Sequence, residues 1–165
     1  LNISNSAFGS GIYLNLINKS RFETRIGDDV VFSSNKEDIT YVGRSGQDAG
    51  LTECYAVEGG EACNYRFVMY LSETAARRHA EITDKLDIVS GGYLSEQIDF
   101  YLDDQLTNSL NIGADLKGQV ATQIQISGSG SGATRQEAIK DAEREMNSLQ
   151  AILISGELSS DYMLI

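Results

Sequence analysis

Residues 134–156 carry the pattern that most restricts what this chain can fold into. Thr134 and Glu137 stand in the T-x-x-E spacing of a capping box, in which each side chain satisfies a backbone N–H left without a partner at a helix start. Ala138, Ala142, Met146, Leu149 and Leu153 then recur at intervals of four, four, three and four, which sets them on one stripe of a helix ended by Gly156. At 1.5 Å per residue such a helix is about 30 Å long, enough to cover a sheet of roughly four strands. Just before it, Thr122, Ile124 and Ile126 alternate with Gln123 and Gln125, the pattern of a strand with one buried and one wet face. A helix laid on an antiparallel sheet, an α+β fold, satisfies both segments.

The rest of the chain extends this pattern. Phe67, Met69 and Leu71 alternate with Val68 and Tyr70 in a strand ending at Ser72, an N-cap residue. Ala75, His79, Ile82, Leu86 and Val89 then share one helical stripe, stopped by Gly91-Gly92. Ile98, Phe100 and Leu102 form one face of a further strand before a turn at Asp103-Asp104, and Tyr162–Ile165 reads as a last strand. From residue 66 the order is strand, helix, strand, strand, helix, strand, the split βαβ of the ferredoxin-like fold. Residues 1–65 instead show short β-like pieces between Gly, Asn, Asp and Ser: 12–17, 22–26, 30–32 and 39–42. The expected division is therefore a β-rich subdomain over 1–65 and an α+β subdomain over 66–165.

Charge excludes partners. The 165 residues hold 13 Lys plus Arg against 24 Asp plus Glu, a net charge of -11. Both parts are acidic, with five basic against nine acidic residues up to residue 65 and eight against fifteen after it. With no local basic cluster, phosphate backbones are repelled, so no nucleic acid is expected as partner. Apolar runs such as 151–154 are far shorter than the roughly 20 residues that cross a bilayer. The chain has no proline and starts at Leu1 without a signal-peptide pattern, which points to processing or a fragment.

Few residues carry candidate chemistry. Cys54 and Cys63 flank a segment whose Gly59-Gly60 can turn the chain back, which suits a disulfide; two reduced, half-buried cysteines are the alternative. A zinc site is disfavoured because only His79 remains to complete four ligands. The Asn2-Ile-Ser4 and Asn18-Lys-Ser20 triplets fit glycosylation acceptors and agree with export. Gly128-Ser129-Gly130-Ser131-Gly132-Ala133 satisfies the G-x-G-x-x-G/A fingerprint of dinucleotide binding, but the strand before it is half wet and little chain remains to build a nucleotide fold. It reads as a flexible strand-to-helix loop. His79, on the apolar stripe of its helix, reads as a packing histidine. Glu96, Asp99, Asp103 and Asp104 lack the calcium-loop pattern and read as a solvated face. No enzyme activity, cofactor or metal is expected.

A specific resemblance emerges from the order of segments. Leu94-Ser95-Glu96-Gln97-Ile98, Tyr101-Leu102-Asp103-Asp104, Ile124-Gln125-Ile126-Ser127-Gly128, Thr134 with Glu137-Ala138, and residues 149–158 follow the order seen in SecD, the export-channel accessory subunit. Residues 21–27, with Val31-Phe32 and 38–42, resemble its archaeal branch. The series spans the chain from about residue 20. Many members carry Leu-Pro where this chain has Leu158-Ser159, a departure that leaves the exit into the last strand less rigid.

This resemblance implies the large extracytoplasmic domain of a plasma-membrane protein, tethered by transmembrane segments absent from this sequence. It implies a ferredoxin-like base with a more variable head, and as partners unfolded preprotein, SecF and the SecY channel complex. The domain would help draw an emerging preprotein outward using the proton gradient. Tyr41, Tyr55 and Tyr65 are its candidate polypeptide contacts, since a phenol offers apolar area plus a hydroxyl; core or turn packing is the alternative. Gly91 and Gly92 are candidate hinges, with an ordinary helix stop as alternative. Rival functions are an extracellular adhesive or structural module and, behind it, a nucleotide-binding enzyme.

Overall fold

The computed structural model describes residues 21–33 and 37–158, with side chains through Ile154 in the last helix. The expected strands at 12–17 and 162–165, the Asn2 and Asn18 triplets and Ser159 lie outside the described residues. Within them the fold is α+β, with two antiparallel sheets and two α-helices.

Two tight hairpins build the first sheet. Strands β1 (Phe22–Ile26) and β2 (Asp29–Ser33) are joined by Gly27-Asp28, with Gly27 at φ 60°. Strands β7 (Tyr93–Leu102) and β8 (Gln105–Gly113) are joined by Asp103 and Asp104, at φ 51° and 64°. Two left-handed residues suit the right-handed twist of a hairpin, and Asp tolerates that region better than most side chains. β1 pairs with β7 from Phe22 opposite Leu102 to Ile26 opposite Ile98. The short strand β6 (Ile88–Val89) pairs farther along β7, where Tyr93 faces Val89 as well as Gly113 of β8.

The second sheet is centred on a twelve-residue strand, β5 (Gly60–Leu71). Strand β4 (Ala49–Val57) and then β3 (Ile39–Val42) pair with it, and β9 (Gln123–Gly132) pairs along ten consecutive positions. Helix α2 (Arg135–Leu158) lies on this sheet. Both bonds of its capping box form: Thr134 N donates to Glu137 Oε2 at 3.1 Å, and Glu137 N to Thr134 Oγ1 at 3.3 Å. All five stripe residues, Ala138 to Leu153, are buried. A single core cluster runs from Phe22, Phe32 and Phe100 of the first sheet to Phe67, Leu149 and Leu153 of the second and its helix.

Three local expectations change. Helix α1 (Glu73–Asp84) starts at Ser72, whose Oγ accepts from Ala75 N at 3.2 Å, but it ends before Leu86 and Val89. The spacing continues past the helix because Ile88 and Val89 belong to β6. Lys117 Nζ donates to the carbonyls of Asp84 and Leu86, placing a cation where α1 leaves acceptors open. Gly91 and Gly92, at φ 90° and 79°, therefore turn β6 into β7 rather than stop a helix. α2 also runs through Gly156 to Leu158, since one glycine costs about 1 kcal/mol and does not alone end a helix.

The split βαβ order places the strands after residue 66 in one sheet, whereas here β5 and β9 share one sheet and β7 and β8 the other. Pairing explains this. β5 is occupied by β3 and β4 on one edge and β9 on the other, and β7 by β1 and β6 against β8. Neither central strand has an edge free for the other. Strands from both sides of residue 65 meet in both sheets, through β1 with β7 and through β3 and β4 with β5.

Candidate binding groove

β9 sets the site. Ile124, Ile126, Gly128, Gly130 and Gly132 face α2, while Gln125, Ser127, Ser129 and Ser131 face outward and are exposed. A Cβ on Gly130 would sit 2.0 Å from the Ala142 backbone nitrogen, and one on Gly132 would sit 2.4 Å from Glu137 Cβ. The glycines thus let the helix seat directly on the strand. Gly128 makes room for Tyr65, whose ring lies over it. The Gly-Ser run is consequently a paired strand under a helix, correcting its expectation as a flexible loop. Its antiparallel pairing also lacks the parallel strand-to-helix turn of the dinucleotide fingerprint.

The hydrogen-bond register fixes where the rest of β9 points. Leu71 N donates to Thr122 O at 2.7 Å, so the bonded pairs of this antiparallel ladder are those of even-numbered β9 residues. The backbone N–H and C=O groups of Gln125, Ser127 and Ser129 then face the free edge. At the upper end that edge is plugged, because Ser131 N donates to Asp141 Oδ2 of α2 at 2.9 Å. Among the described residues β8 pairs only with β7, so it too has an unpaired edge.

Between these edges lies a cavity of about 390 Å³. Its apolar walls come from both sheets, with Ile98, Phe100, Leu110 and Ile112 on one side and Ile124 and Ile126 on the other. His79 of α1 also lines it; it is 3% exposed and stacks on Phe32 with ring centroids 6.0 Å apart. Its Nδ1 has no hydrogen-bond partner among the described residues. Burial pushes its pKa below the ordinary imidazole value, so the ring is neutral at neutral pH. The volume falls in the range of small-ligand and side-chain pockets. A shallower polar depression shares Tyr93, Gln125 and Ser127 with the cavity and continues over Ser129, Asn64, Thr52 and Arg66.

The residues singled out in sequence are not gathered there. Tyr65 is 4% exposed beneath α2, and burial, then the nearby Glu145 charge, raises its pKa. Tyr41 and Tyr55 are exposed, at 42% and 44%, but they pair with Tyr70 and Ala62, eight residues or roughly 26 Å apart along β5. Tyr41 donates to Asp48 at 2.7 Å and meets Tyr70 edge-on. Cys54 and Cys63 face each other across the β4–β5 hairpin, Cα atoms 4.0 Å apart, and are bonded; Cys63 is fully buried. Glu58-Gly59, with Gly59 at φ 82°, makes the turn that brings them together. Asp99 accepts from Ser109 and Asp103 from Arg21 N, and the described residues hold no group of three or more potential metal ligands. The groove itself had no sequence signal of its own: alternation marks each wall, but not that the walls belong to different sheets.

No protein-family model, curated protein or solved structure matches the chain. Among the described residues, no helix is long and apolar enough to cross a membrane.

Proposed function

We propose that this chain is a non-enzymatic, polypeptide-handling domain on the extracytoplasmic side of an export channel, as its ordered segments resemble those of SecD. In this proposal it engages emerging unfolded preprotein and works with SecF and the SecY channel through membrane segments of a parent protein, driven by the proton gradient. The ferredoxin-like base belongs to the same proposal and rests on the resemblance alone, since β5 and β9 lie in one sheet and β7 and β8 in the other.

The observation that carries the reading is the apolar groove between the edges of β8 and β9, which are unpaired among the described residues. Unfolded chains present unsatisfied backbone and apolar side chains together, and a groove with open edges offers matching groups without requiring one sequence. Photocrosslinkers placed at Leu110, Gln125 and Tyr55 in the parent protein, within the assembled channel, should capture a stalled unfolded substrate. Absence of any substrate adduct while export proceeds would sink the proposal. Intact export after deletion of the domain would favour an adhesive or structural module instead.

A further inference from the structure

We infer that the free edge of β9 over Gln123–Ser129 accepts an extended polypeptide as an added antiparallel or parallel strand, with its alternate side chains entering the cavity beside His79. This rests on the polypeptide-handling reading and assigns that handling to one edge and one cavity.

The geometry has three parts. The N–H and C=O groups of Gln125, Ser127 and Ser129 face outward, and none bonds to another backbone group among the described residues. An exposed row of this kind is a template for pairing. The edge is guarded at one end only, where Asp141 takes the Ser131 N–H. Finally, the cavity abuts the same strand at Ile124–Ser127 and runs along β8 from Ser109 to Gly113. A strand laid on β9 would therefore turn every second side chain toward Phe100, Leu110 and Ile112.

Charge selects the occupant. Among the described residues the cavity is lined by no carboxylate, Lys or Arg, and its histidine, His79, is neutral. Residues entering it must be uncharged. Beyond the lining, Asp99 beside Ser109, Asp115 after Gly113 and Asp141 at Ser131 are carboxylates, on a chain of net charge -11. The occupant is thus an extended, proline-free segment with small or β-branched apolar residues at alternate positions and basic residues at its flanks.

The test uses a fluorescein-labelled peptide, Lys-Thr-Val-Thr-Val-Thr-Val-Lys, read by anisotropy and by amide hydrogen exchange of the whole chain. Binding should slow exchange at Gln125 and Ser127. Ser127→Pro removes only an outward N–H and should weaken binding at least tenfold while circular dichroism stays unchanged. If that variant misfolds, Leu110→Trp fills the cavity from β8 without touching β9 and should weaken binding by a similar factor. The same Thr-Val core with aspartate in place of both flanking lysines should bind at least tenfold more weakly. The inference is overturned if the peptide does not bind, if both variants bind it like the parent, or if protection lies elsewhere. Concentration-dependent protection without peptide, which would mean a second copy of the chain fills the edge, overturns it too. Reduced, carboxymethylated α-lactalbumin separates the two levels: binding of this unfolded chain unaffected by either variant leaves polypeptide handling standing and removes this site, whereas no binding of either probe removes both.

Discussion

The two halves of β9 solve opposite problems with the same backbone. From Gly128 to Gly132 the strand gives up side chains on its inner face: the Tyr65 ring takes the space over Gly128, and α2 closes directly onto Gly130 and Gly132. From Gln123 to Ser127 it keeps Ile124 and Ile126, but no helix or strand of the described residues closes over its edge, and the apolar surface lines a cavity instead. The closed half leaves no space for a Cβ at Gly130 or Gly132 and should be intolerant of added volume; the open half borders a cavity and should tolerate both loss and gain.

The largest effects are expected in the closed half and the helix seated on it. Gly130→Ala forces a Cβ into the α2 backbone and should cost roughly 3 kcal/mol, the upper end of overpacking penalties, in urea unfolding. A change below about 1 kcal/mol would mean that the helix does not sit on the glycines. Just behind it comes the hairpin beneath the helix: reducing Cys54–Cys63, nine residues apart, should lower stability by about 2.5 to 3 kcal/mol, and thiol titration of the denatured oxidised protein should find no free thiol.

Truncations sharpen the contrast. Leu149→Ala, wholly buried under α2, should cost about 2 to 5 kcal/mol, whereas Leu110→Ala, on the cavity wall and only partly buried, should cost about 1 kcal/mol. Equal losses would erase the distinction between the halves. Thr134→Ala, which breaks the reciprocal cap, should cost about 1 kcal/mol.

The smallest effect belongs to His79. Its folded pKa lies below that of the unfolded imidazole, about 6.5, so above that pH both states are neutral. As pH falls through about 6.5 the unfolded chain takes up the proton first, and stability declines until the folded pKa is passed. His79→Leu should flatten that part of the stability profile. An unchanged slope would place the titration elsewhere.

Much of the frame was legible because its signals are local. Phe22–Ile26 and Ile39–Val42 stand where short β-like pieces between turn residues put them, and the Thr134 cap needed only residues three apart. What escaped depends on distant partners. β8 was invisible because Asn108 interrupts its apolar face, and β7 supplies the pairing that holds it. The Gly-Ser run has poor strand propensity, yet ten opposed residues of β5 make it a strand. The Leu86–Val89 spacing imitates a helix although the chain has already turned. The cavity was least legible, since it exists only because two sheets each satisfied their central strand and stopped short of each other.

The seating of α2 on glycines also has a mechanical side. A contact made by backbone against backbone has few rotamers to yield before load is transferred. A pull applied to an occupant of the β9 edge would therefore pass into α2 with little slack, so that strand and helix bear it as one body.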